Sequence, residues 1–538
     1  MKGPLVVLGD ALLDIDMVGR ADRLCPDAAA PVLEDVTEQA RPGGAALAAL
    51  LAAMDGHEVV LVTPLAEDEA GHRLRGMLEG RVRVVALPGG GSTSVKRRIL
   101  ASGQSVARLD SGGSGSGCGP LPSEVEVLLS RAAAVLVSDY GRGVTGHAHV
   151  QELLTRAGQS CPLVWDPHPR GAAPVSTARL VTPNQSEAAL FAGQLESAGQ
   201  QRPYAHNGQG EGSIQPSAAP SSPVAAAAGQ ADLLLEAWGV SAVVITMGSN
   251  GALLSYGCGA PALIPATTLG RVDTCGAGDS FAAAAAGALA NGALTAEAIQ
   301  YAVAAASSFL ASGGATTIAR SLQDDPAQPQ PPGDPAQSRS PGDPAAPPER
   351  GAAVTTTPPV GSAAVAETLG RSIRARGGIV VATGGCFDLL HAGHIATLRD
   401  AREMGDCLIV CLNSDDSVRR QKGPQRPLVP EQDRAEVLLA LACVDAVVIF
   451  GEDTPERVLG RLRPDLWVKG GDYVGTNLPE AAVLARWGGQ AVVLPYLAGR
   501  STTQLVHSAA ASGGGAAARN GAAASDSPAR PLAEGVNR

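Results

Sequence analysis

The stretch that decides the fold of the N-terminal part is residues 273–279, Asp-Thr-Cys-Gly-Ala-Gly-Asp, followed by an Ala-rich run. Gly276, Ala277 and Gly278 predict the start of a helix, and the run behind them predicts that this helix is buried. Backbone N–H groups at a helix N-terminus converge on an anion, and the helix dipole favours negative charge there. Asp279 then lies in the first turn, where it can accept a proton from an attacking hydroxyl. An Asp that only complements the dipole is the alternative.

Around this motif, short apolar runs alternate with helical stretches from residue 1 to residue 323. This alternation predicts an α/β domain with a largely parallel sheet. The predicted strands are Leu5–Leu8, Val59–Val62, Val82–Leu87, Ala134–Ser138, Leu163–Asp166, Leu180–Thr182 and Val243–Met247. A Gly/Ser loop at Ser111–Gly119 and a low-complexity insertion at about 194–230 lack the apolar density for ordered structure.

Polar residues follow the strands of this domain. The carboxyl ends of parallel strands meet at one rim of a sheet, where ligands bind. The residues concerned are Gly9-Asp10, Asp14, the run 138–143 (Ser-Asp-Tyr-Gly-Arg-Gly), Asp166-Pro167 and the run 182–187 (Thr-Pro-Asn-Gln-Ser-Glu). Together with residues 273–279, this pattern resembles the ribokinase-like carbohydrate kinase family over nearly the whole domain. The resemblance implies an ATP-dependent sugar kinase that uses Mg²⁺.

The resemblance also implies roles for single residues. Asp279 would be the catalytic base and residues 276–278 the anion hole. The nucleotide-associated motif, in which Glu187 acts on Mg²⁺ indirectly, would comprise Asn184, Gln185, Ser186 and Glu187. The turn near the nucleotide would comprise Thr246, Gly248 and Gly251. The family often has an Asn near the positions of Leu47 and Val303, and this chain has none there.

Candidate sugar-phosphate ligands lie upstream of these motifs. Asp14, Gly43 and Gly44 would contact the sugar, while the cationic residues would hold its phosphate: Lys96, Arg98 and Arg108. The alternative is that the basic run at 96–98 only protects a strand edge from pairing with another chain.

A second motif occupies residues 385–394, Gly-Cys-Phe-Asp-Leu-Leu-His-Ala-Gly-His. It follows a β-branched run at Ile379–Thr383, and Gly393 places it at the start of a helix. His391 and His394 can then both face phosphates, aided by the helix N-terminus. A metal pair is the competing interpretation, but the third ligand that zinc sites need is not apparent.

This motif resembles the HxGH signature of the nucleotidyltransferase superfamily, in which no protein nucleophile is needed. Further matches follow in the expected order: Asn413 and Asp415 for the substrate, Lys422 and Arg426 in a basic loop, and Lys469 and Asp472 after a strand. Ser501 and Thr502 open a terminal helix. By this resemblance His391, His394 and Lys469 stabilise charge in the transition state. The residues that would bind the nucleotide are Phe387, Asp388, Gly393, Lys422, Arg426, Asp472, Ser501 and Thr502.

The two motifs belong to different domains. A Pro-rich stretch without hydrophobic periodicity predicts a linker at 324–359, and an Ala/Gly/Ser-rich end predicts a disordered tail at 508–538. Residues 360–507 form a smaller Rossmann-like α/β unit. Its predicted strands are Ile379–Thr383, Leu408–Asn413, Ala446–Phe450, Leu466–Lys469 and Ala491–Leu494.

Bulk properties narrow the functional class. The net charge of −11 argues against a nucleic-acid partner. Nine scattered cysteines without CxxC spacing favour a reducing cytosol, and Cys407 and Cys411 fit buried thiols better than zinc ligands. Neither a signal peptide nor a membrane-spanning run is recognisable. We therefore expect a cytoplasmic enzyme without a membrane partner.

The order of the two domains is itself informative. A sugar kinase ahead of a nucleotidyltransferase resembles the family of two-domain enzymes that phosphorylate heptose 7-phosphate at O1 and adenylylate heptose 1-phosphate. The resemblance implies ATP as substrate of both domains and a homodimer formed through the kinase domain. Two alternatives remain: the same chemistries on another sugar phosphate or nucleotide, or one domain that is inactive and regulatory.

Overall fold

The computed structural model describes residues 3–25, 31–88, 91–101, 104–113, 119–200, 222–270, 272–323, 362–471, 476 and 478–495. The predicted linker at 324–359 and the predicted tail at 508–538 lie outside these ranges, as do most of the loop at 111–119 and residues 201–221 of the predicted insertion. The described parts form an N-terminal and a C-terminal α/β unit.

The strands of the N-terminal unit are β1 (Leu5–Gly9), β2 (Ala11–Leu24), β3 (Pro31–Gly44), β4 (Val59–Pro64), β5 (Arg83–Leu87), β6 (Ser94–Ala101), β7 (Gln104–Ser111), β8 (Ala134–Ser138), β9 (Leu163–Asp166), β10 (Leu180–Val181), β11 (Val243–Thr246), β12 (Ala252–Ser255) and β13 (Ala262–Ile264). Its helices are α1 (Ala45–Met54), α2 (Glu69–Leu78), α3 (Ser123–Arg131), α4 (Ala148–Ser160), α5 (Gln185–Gln200), α6 (Pro223–Trp238), α7 (Ala277–Ala290), α8 (Thr295–Ala311) and α9 (Gly314–Gln323). A short 3₁₀ turn spans Gly248–Asn250.

The strands of the C-terminal unit are β14 (Val380–Gly385), β15 (Cys407–Asn413), β16 (Ala446–Phe450), β17 (Leu466–Gly470) and β18 (Gln490–Leu494). Its helices are α10 (Ala363–Ala375), α11 (Ala392–Glu403), α12 (Asp415–Lys422), α13 (Glu431–Leu439), α14 (Glu456–Leu462) and α15 (Pro479–Leu484), followed by a 3₁₀ turn at Ala485–Trp487. All the strands predicted from the apolar runs of both units are present within a few residues.

One sheet runs through both units. Its 14 described strands have the order β16-β15-β14-β17-β18-β13-β12-β11-β10-β9-β8-β1-β4-β5. The two units join where β13 pairs in parallel with β18, at Ala262 and Val493. Most neighbours in this sheet are parallel, and central strands such as β1 are buried along their whole length, as expected for a sheet with both faces covered. The α/β fold class is therefore confirmed.

A second, four-stranded sheet of order β3-β2-β6-β7 was missed by the sequence analysis. It packs its apolar face through Leu13, Ile15, Ala40 and Val95, while the polar residues between them carry charge. The alternation at residues 13–17, Leu-Asp-Ile-Asp-Met, is the period of a half-buried strand. The basic run at 96–98 lies inside this sheet, since β6 has neighbours on both sides. The interpretation as a strand-edge guard is therefore wrong.

The segment between α5 and α6 is shorter in the structure than the predicted insertion at 194–230. Helix α5 continues to Gln200, and α6 begins at Pro223. Ser222 caps α6 by accepting a hydrogen bond from the N–H of Ala225, and the proline stands at the first helical position, where no N–H is needed. The alanines of α6 are small enough to lie buried against the sheet, which is why a composition poor in large side chains is still ordered.

The Ala-rich run after residue 280 forms α7, which is buried as predicted and packs between α1 and α8. Within the described residues no single helix has the length and apolarity to cross a bilayer. The pair formed by α8 and Gly314–Leu322, bent by 67°, meets those criteria only when the two helices are taken together.

Candidate active sites

The start of α7 forms a tight, glycine-dependent turn. Gly276 is the N-cap residue with φ 82°, a left-handed conformation that side chains disfavour. A Cβ on Gly276 would also lie 2.9 Å from Cδ2 of Leu47. Leu47 is thus a core residue that supports the turn. The N–H groups of Gly278 and Asp279 fall in the first turn, where the helix itself supplies no acceptor, so they are suited to a phosphate.

Asp279 is buried at this helix start and is held by one side chain. The phenol O–H of Tyr140 lies 2.8 Å from Oδ1 and 3.0 Å from Oδ2 of the carboxylate. Burial raises the pKa of Asp279 to about 7, whereas the Tyr140 hydrogen bond lowers it, the charge of Asp14 raises it and that of Lys96 lowers it. A carboxyl group with this pKa can take up a proton at neutral pH, as a general base must.

A cavity of about 380 Å³ opens beside the turn, within the size range of nucleotide pockets. Its wall combines the predicted turn near the nucleotide with the start of α7 and one face of α8. Lining residues include Thr246, Gly248, Gly251, Ala277, Gly278, Phe281 and Val303. Val303 contributes an apolar surface at the position where the family often has Asn.

The predicted nucleotide motif at 184–187 forms a reciprocal cap on α5. The N–H of Asn184 donates to Oε2 of Glu187 at 2.9 Å, and the N–H of Glu187 donates to Oδ1 of Asn184 at 3.0 Å. Gln185 and Ser186 form the first turn between them. Burial, followed by the charges of Glu187 and Asp279, raises the pKa of Asp166 well above its usual value. Asp166 therefore lies near Glu187 and Asp279, the two carboxylates predicted at this rim of the sheet.

The predicted sugar ligands lie in a buried network of charges on the second sheet. Asp14 lies 4.0 Å from Nζ of Lys96 and 3.9 Å from Nη2 of Arg98. The centre of the network is Arg41, only 1% exposed, whose Nη1 lies 2.5 Å from Oδ2 of Asp16. The register of β2 with β3 and β6 brings these groups together by pairing Asp14 with both Arg41 and Lys96.

The two glycines at the end of β3 lie between this network and the base. A Cβ on Gly43 would lie 2.9 Å from Oδ2 of Asp14, and one on Gly44 would lie 3.2 Å from the Tyr140 ring. Arg108 is placed differently: it is exposed and pairs with Asp110 through two hydrogen bonds of 2.9 and 2.5 Å. The structure therefore brings Asp14, Gly43, Gly44, Lys96 and Arg98 into one largely buried region, whereas Arg108, opposite Arg98 on β7, is exposed beside it.

In the C-terminal unit, the two predicted histidines stack at the start of α11. Their ring centroids lie 4.0 Å apart. His391 is the N-cap, and its Nδ1 accepts a hydrogen bond from the N–H of Gly393 at 3.1 Å. Phe387, at φ 43°, packs its ring 5.4 Å from that of His394. Burial, then the charges of His391 and Lys422, lower the pKa of His394 to about 4, so that this imidazole is neutral at physiological pH.

Asp388 tethers the basic loop to this motif. It accepts hydrogen bonds from the N–H groups of Leu428 and Val429, at 2.7 and 3.0 Å, and its Oδ2 lies 2.7 Å from Nε of Arg426. Asp388 was predicted to bind nucleotide; the geometry instead commits its carboxylate to the loop and to Arg426. A contact of Asp388 with a nucleotide stays a prediction.

Arg434 connects the ends of two strands and the basic loop. It is 2% exposed and donates to the carbonyl oxygens of Cys386, Asn413 and Val429, and its Nη2 lies 2.6 Å from Oδ1 of Asp415. The side-chain amide of Asn413 donates to Oγ of Ser417 at 3.1 Å. Asn413 and Asp415, predicted as substrate ligands, are thus fixed by a residue that the sequence analysis did not identify.

A cavity of about 400 Å³ lies at the carboxyl ends of β14, β15 and β17. Asn413, Lys422 and Lys469 line it, together with Cys386 and Glu480. Nζ of Lys422 lies 2.9 Å from Sγ of Cys386, and Nζ of Lys469 lies 2.9 Å from Oε1 of the buried Glu480. The predicted ligands Asp472, Ser501 and Thr502 fall outside the described residues.

Among the described residues, no group of three or more His, Cys, Asp and Glu side chains could hold a metal ion. Cys407 and Cys411 are buried in β15, and burial raises their thiol pKa values to about 11 and 12. Both are therefore unreactive core thiols, as predicted.

Several side chains of the candidate sites were missed because only contacts distant in sequence reveal them: Arg41, Asp16, Tyr140, Asp166, Arg434 and Glu480. Tyr140 and Asp166 belong to strand-end runs that the sequence analysis had placed at the ligand-binding rim. Their exact roles depend on the side chains that they meet. The alternation of residues 13–17 was a signal for β2, and hence for Asp16.

Comparison with known families agrees with both sites. The pfkB family carbohydrate kinase model matches residues 3–321, and the cytidylyltransferase-like model matches residues 382–496. The first match contains Asp279 and the second contains both histidines. The protein is therefore an enzyme that joins a sugar kinase to a nucleotidyltransferase.

Relatives with both domains are also found. The Bifunctional protein HldE of Streptomyces coelicolor is 49% identical over 94% of this chain and 97% of its own, and that of Caulobacter vibrioides is 33% identical over 93% and 96%. A solved structure of Arabidopsis thaliana ribokinase complexed with ribose and ATP aligns with 60% of this chain and 99% of its own, at 22% identity and a TM-score of 0.42. By its full-length relatives, the chain belongs to the family of bifunctional HldE proteins.

Proposed function

We propose that the chain activates a heptose in two separate reactions. The first phosphorylates D-glycero-β-D-manno-heptose 7-phosphate at O1 with ATP, and the second transfers AMP from ATP to heptose 1-phosphate, giving ADP-heptose and pyrophosphate. The observation that carries this proposal is the presence in one chain of a buried carboxylate at a helix N-terminus and of a separate cationic site after β14. The heptose rests on the resemblance of the whole chain to the two-domain heptose enzymes.

In the kinase reaction, Asp279 takes the proton from the O1 hydroxyl as that oxygen attacks the γ-phosphorus, and ADP leaves. The N–H groups of Gly278 and Asp279 stabilise the charge on the transferred phosphoryl group. Tyr140 orients the carboxylate through its hydrogen bond to both oxygens. The adjacent cavity of about 380 Å³ would hold the nucleotide.

Mg²⁺ would enter this site with ATP. The carboxylates of Asp166 and Glu187 are neighbours, and burial is the leading cause that raises the pKa of each. A divalent cation nearby would offset that cost. Because the described residues offer no complete set of metal ligands, an ion coordinated mainly by phosphate oxygens and water suits the site.

In the adenylyl transfer, an oxygen of the sugar 1-phosphate attacks the α-phosphorus of ATP, and pyrophosphate leaves. The attacking oxygen is already anionic, so no side chain has to remove a proton. The charge that develops on the leaving group requires cations and hydrogen-bond donors. Lys422 and Lys469, which line the cavity, would supply them, together with Arg426 and the two histidines beside it.

The product of the first reaction is a bisphosphate, whereas the second reaction uses a monophosphate. A separate phosphatase must therefore remove the 7-phosphate between the two steps, and direct transfer between the sites is not expected. The resemblance further supports a homodimer formed through the kinase domain and a cytoplasmic location. Light scattering of the purified chain and cell fractionation test these two points.

The proposed function is tested with purified full-length protein and two assays. ADP release is measured with heptose 7-phosphate, and pyrophosphate release with heptose 1-phosphate, each with ATP, CTP and GTP. We expect turnover of both sugars with ATP. Turnover of only a different sugar phosphate would overturn the heptose assignment, and absence of one half-reaction with every substrate would mean that this domain is inactive.

A further inference from the structure

All three cations predicted to bind the sugar's distal phosphate have a carboxylate within 4.0 Å, but Arg98 and Arg108 are held at shorter range than Lys96, which lies 4.0 Å from Asp14. Arg98 lies 3.9 Å from Asp14 and 3.5 Å from Asp16. Arg108 makes its two hydrogen bonds to Asp110. A phosphate dianion near either arginine would meet these carboxylates at short range, and like charges repel strongly where water is scarce. Cations without a carboxylate at such short range are therefore better suited to bind a phosphate.

Such cations cluster where the segments following β8 and β9 meet. The first segment carries Arg142, and the second carries His168 and Arg170. After burial, the charges of Arg170, Lys96 and Arg142 lower the pKa of His168, which places all four groups in one electrostatic neighbourhood. Among the described residues, no carboxylate lies within ion-pair distance, 4.0 Å, of Arg142, His168 or Arg170.

Gly141 makes this cluster possible. It has φ 67°, and a Cβ there would lie 2.6 Å from Nδ1 of His168 and 2.9 Å from Cβ of Arg170. The N–H of Arg170 donates to Nδ1 of His168 at 3.2 Å, so the neutral ring carries its proton on Nε2 and can donate it. Nη1 of Arg142 donates a hydrogen bond of 3.1 Å to the carbonyl oxygen of Gly112, which lies just after β7.

The cluster lies close to the catalytic base. Nζ of Lys96 is 5.4 Å from the centroid of the Tyr140 ring, and the hydroxyl of Tyr140 contacts Asp279. Tyr140 thus contacts both the base and Lys96, which belongs to these cations. A sugar whose O1 faces Asp279 would place its other end in their direction.

The carboxylates nearest the cluster are themselves occupied. Asp110 feels the charges of Lys96 and Arg142 but is hydrogen-bonded to Arg108. Asp10 accepts from the N–H groups of Tyr140 and Arg142 at 3.1 and 2.9 Å. Asp139 accepts from the N–H of Gly141 and the hydroxyl of Thr145, each at 2.7 Å. Asp14, 4.0 Å from Lys96, belongs to the Arg41 network.

We propose that Arg142, His168 and Arg170, together with Lys96, bind the distal phosphate of the sugar substrate. This inference rests on the proposed kinase function, which it deepens by naming the residues that select a phosphorylated sugar. Two arginines and a neutral imidazole N–H on adjoining segments, beside Lys96 of β6, suit a phosphate, since hydrogen bonds between ionised groups are about twice as strong as neutral ones.

The test uses Arg142→Met and Arg170→Ala in the full-length protein, with Arg156→Ala, a remote exposed arginine paired with Glu126, as matched control. We expect KM and Kd for heptose 7-phosphate to rise by about ten- to hundredfold in the first two variants. Turnover of unphosphorylated heptose and the affinity for ADP should stay the same. Adenylyl transfer by the same samples shows whether the chain is folded. If Arg142→Met misfolds, Arg170→Ala still tests the proposal, because Arg170 is exposed and its replacement leaves the core unchanged.

The outcomes separate the two claims. If the wild type neither binds nor phosphorylates heptose 7-phosphate, the proposed function fails and the inference falls with it. If the wild type binds and turns it over but both variants keep the wild-type KM and Kd, only the inference is overturned. A loss of equal size for phosphorylated and unphosphorylated sugar would also overturn it, because the cluster would then act on the sugar ring or on the fold.

Discussion

Burial shifts the pKa of one titratable residue in each candidate site, but in opposite directions. In the kinase site it raises the pKa of Asp279 to about 7, and in the nucleotidyltransferase site it lowers the pKa of His394 to about 4. Both shifts have one cause, since a low-dielectric environment disfavours the charged form of either group. The first site gains a base that works near neutral pH. The second gains a neutral imidazole, suited to donating a hydrogen bond in a reaction that needs no base.

The two sites also differ in how they are held together. Asp279 depends on one helix start and one phenol, whereas the transferase site depends on a buried cation that joins two strand ends to the basic loop. We therefore expect substitutions to affect the two sites differently, through chemistry in the first and through architecture in the second. The following predictions test that contrast.

The largest effect is expected for Arg434→Met. The substitution leaves Asp415 without its buried partner and three carbonyl oxygens without a donor. A buried acceptor left without its donor costs about 1–3 kcal/mol, so the transferase domain should unfold at lower urea concentration and lose adenylyl transfer. Kinase activity should persist.

Arg457→Met is the matched control for that prediction, because Arg457 pairs with Glu452 at 3.4 Å on the same unit but both side chains are exposed. Its free energy of unfolding should change by less than about 0.5 kcal/mol. Equal changes in the two variants would show that Arg434 does not hold the site together.

A smaller but still large effect is expected for His394→Ala. Removing one donor to the developing charge lowers the rate by about 10²–10³-fold, measured as pyrophosphate release at saturating ATP. The kinase rate of the same sample is the control. If adenylyl transfer by His394→Ala stays within a few-fold of wild type, the stacked histidines are structural. The neutral imidazole of His394 would then have no chemical role in the second site.

The smallest effect is expected for Tyr140→Phe. The Tyr140 hydrogen bond lowers the pKa of Asp279, and a bond to a charged group contributes about 1.5–3 kcal/mol, so its loss should raise that pKa by about one to two units. Because the base acts only when deprotonated, kinase kcat/KM rises with pH through the pKa. The rising limb should therefore move to higher pH, with about a tenfold loss at neutral pH.

Tyr301→Phe provides a close control for that pH profile. The Tyr301 hydroxyl contacts Asp55 at 2.9 and 3.0 Å, much as Tyr140 contacts Asp279, but on the protein surface. It should leave the profile unchanged. A profile for Tyr140→Phe that overlays the wild type would show that the phenol does not act on the base.

The sequence predicted the parts of the fold that depend on local composition. The central strands are continuous apolar runs, and the helix start at 276–279 carries its own glycine signal, so both were found. The second sheet was missed because β2 and β3 mix charged, glycine and proline residues with apolar ones, and only the alternation at 13–17 marked a half-buried strand.

In the candidate sites, too, the sequence predicted the residues that belong to short local motifs and missed those that depend on distant contacts. Asp279 and the two histidines belong to short motifs, and their residue types indicate their chemistry. Arg434 lies in a helix with other charged residues, and Tyr140 is one residue of a turn. Their importance comes from contacts that the folded chain creates, with Cys386 and Asn413 for Arg434 and with Asp279 for Tyr140.

The central claim is that one chain carries two independent sites of different chemistry, and Asp279→Asn tests it most directly. Both half-reactions are measured on the same full-length sample, as ADP release with heptose 7-phosphate and as pyrophosphate release with heptose 1-phosphate. We expect kinase turnover to fall by about 10²–10⁴-fold while adenylyl transfer keeps its wild-type rate. Kinase turnover within a few-fold of wild type, or an equal loss of both activities, would contradict it.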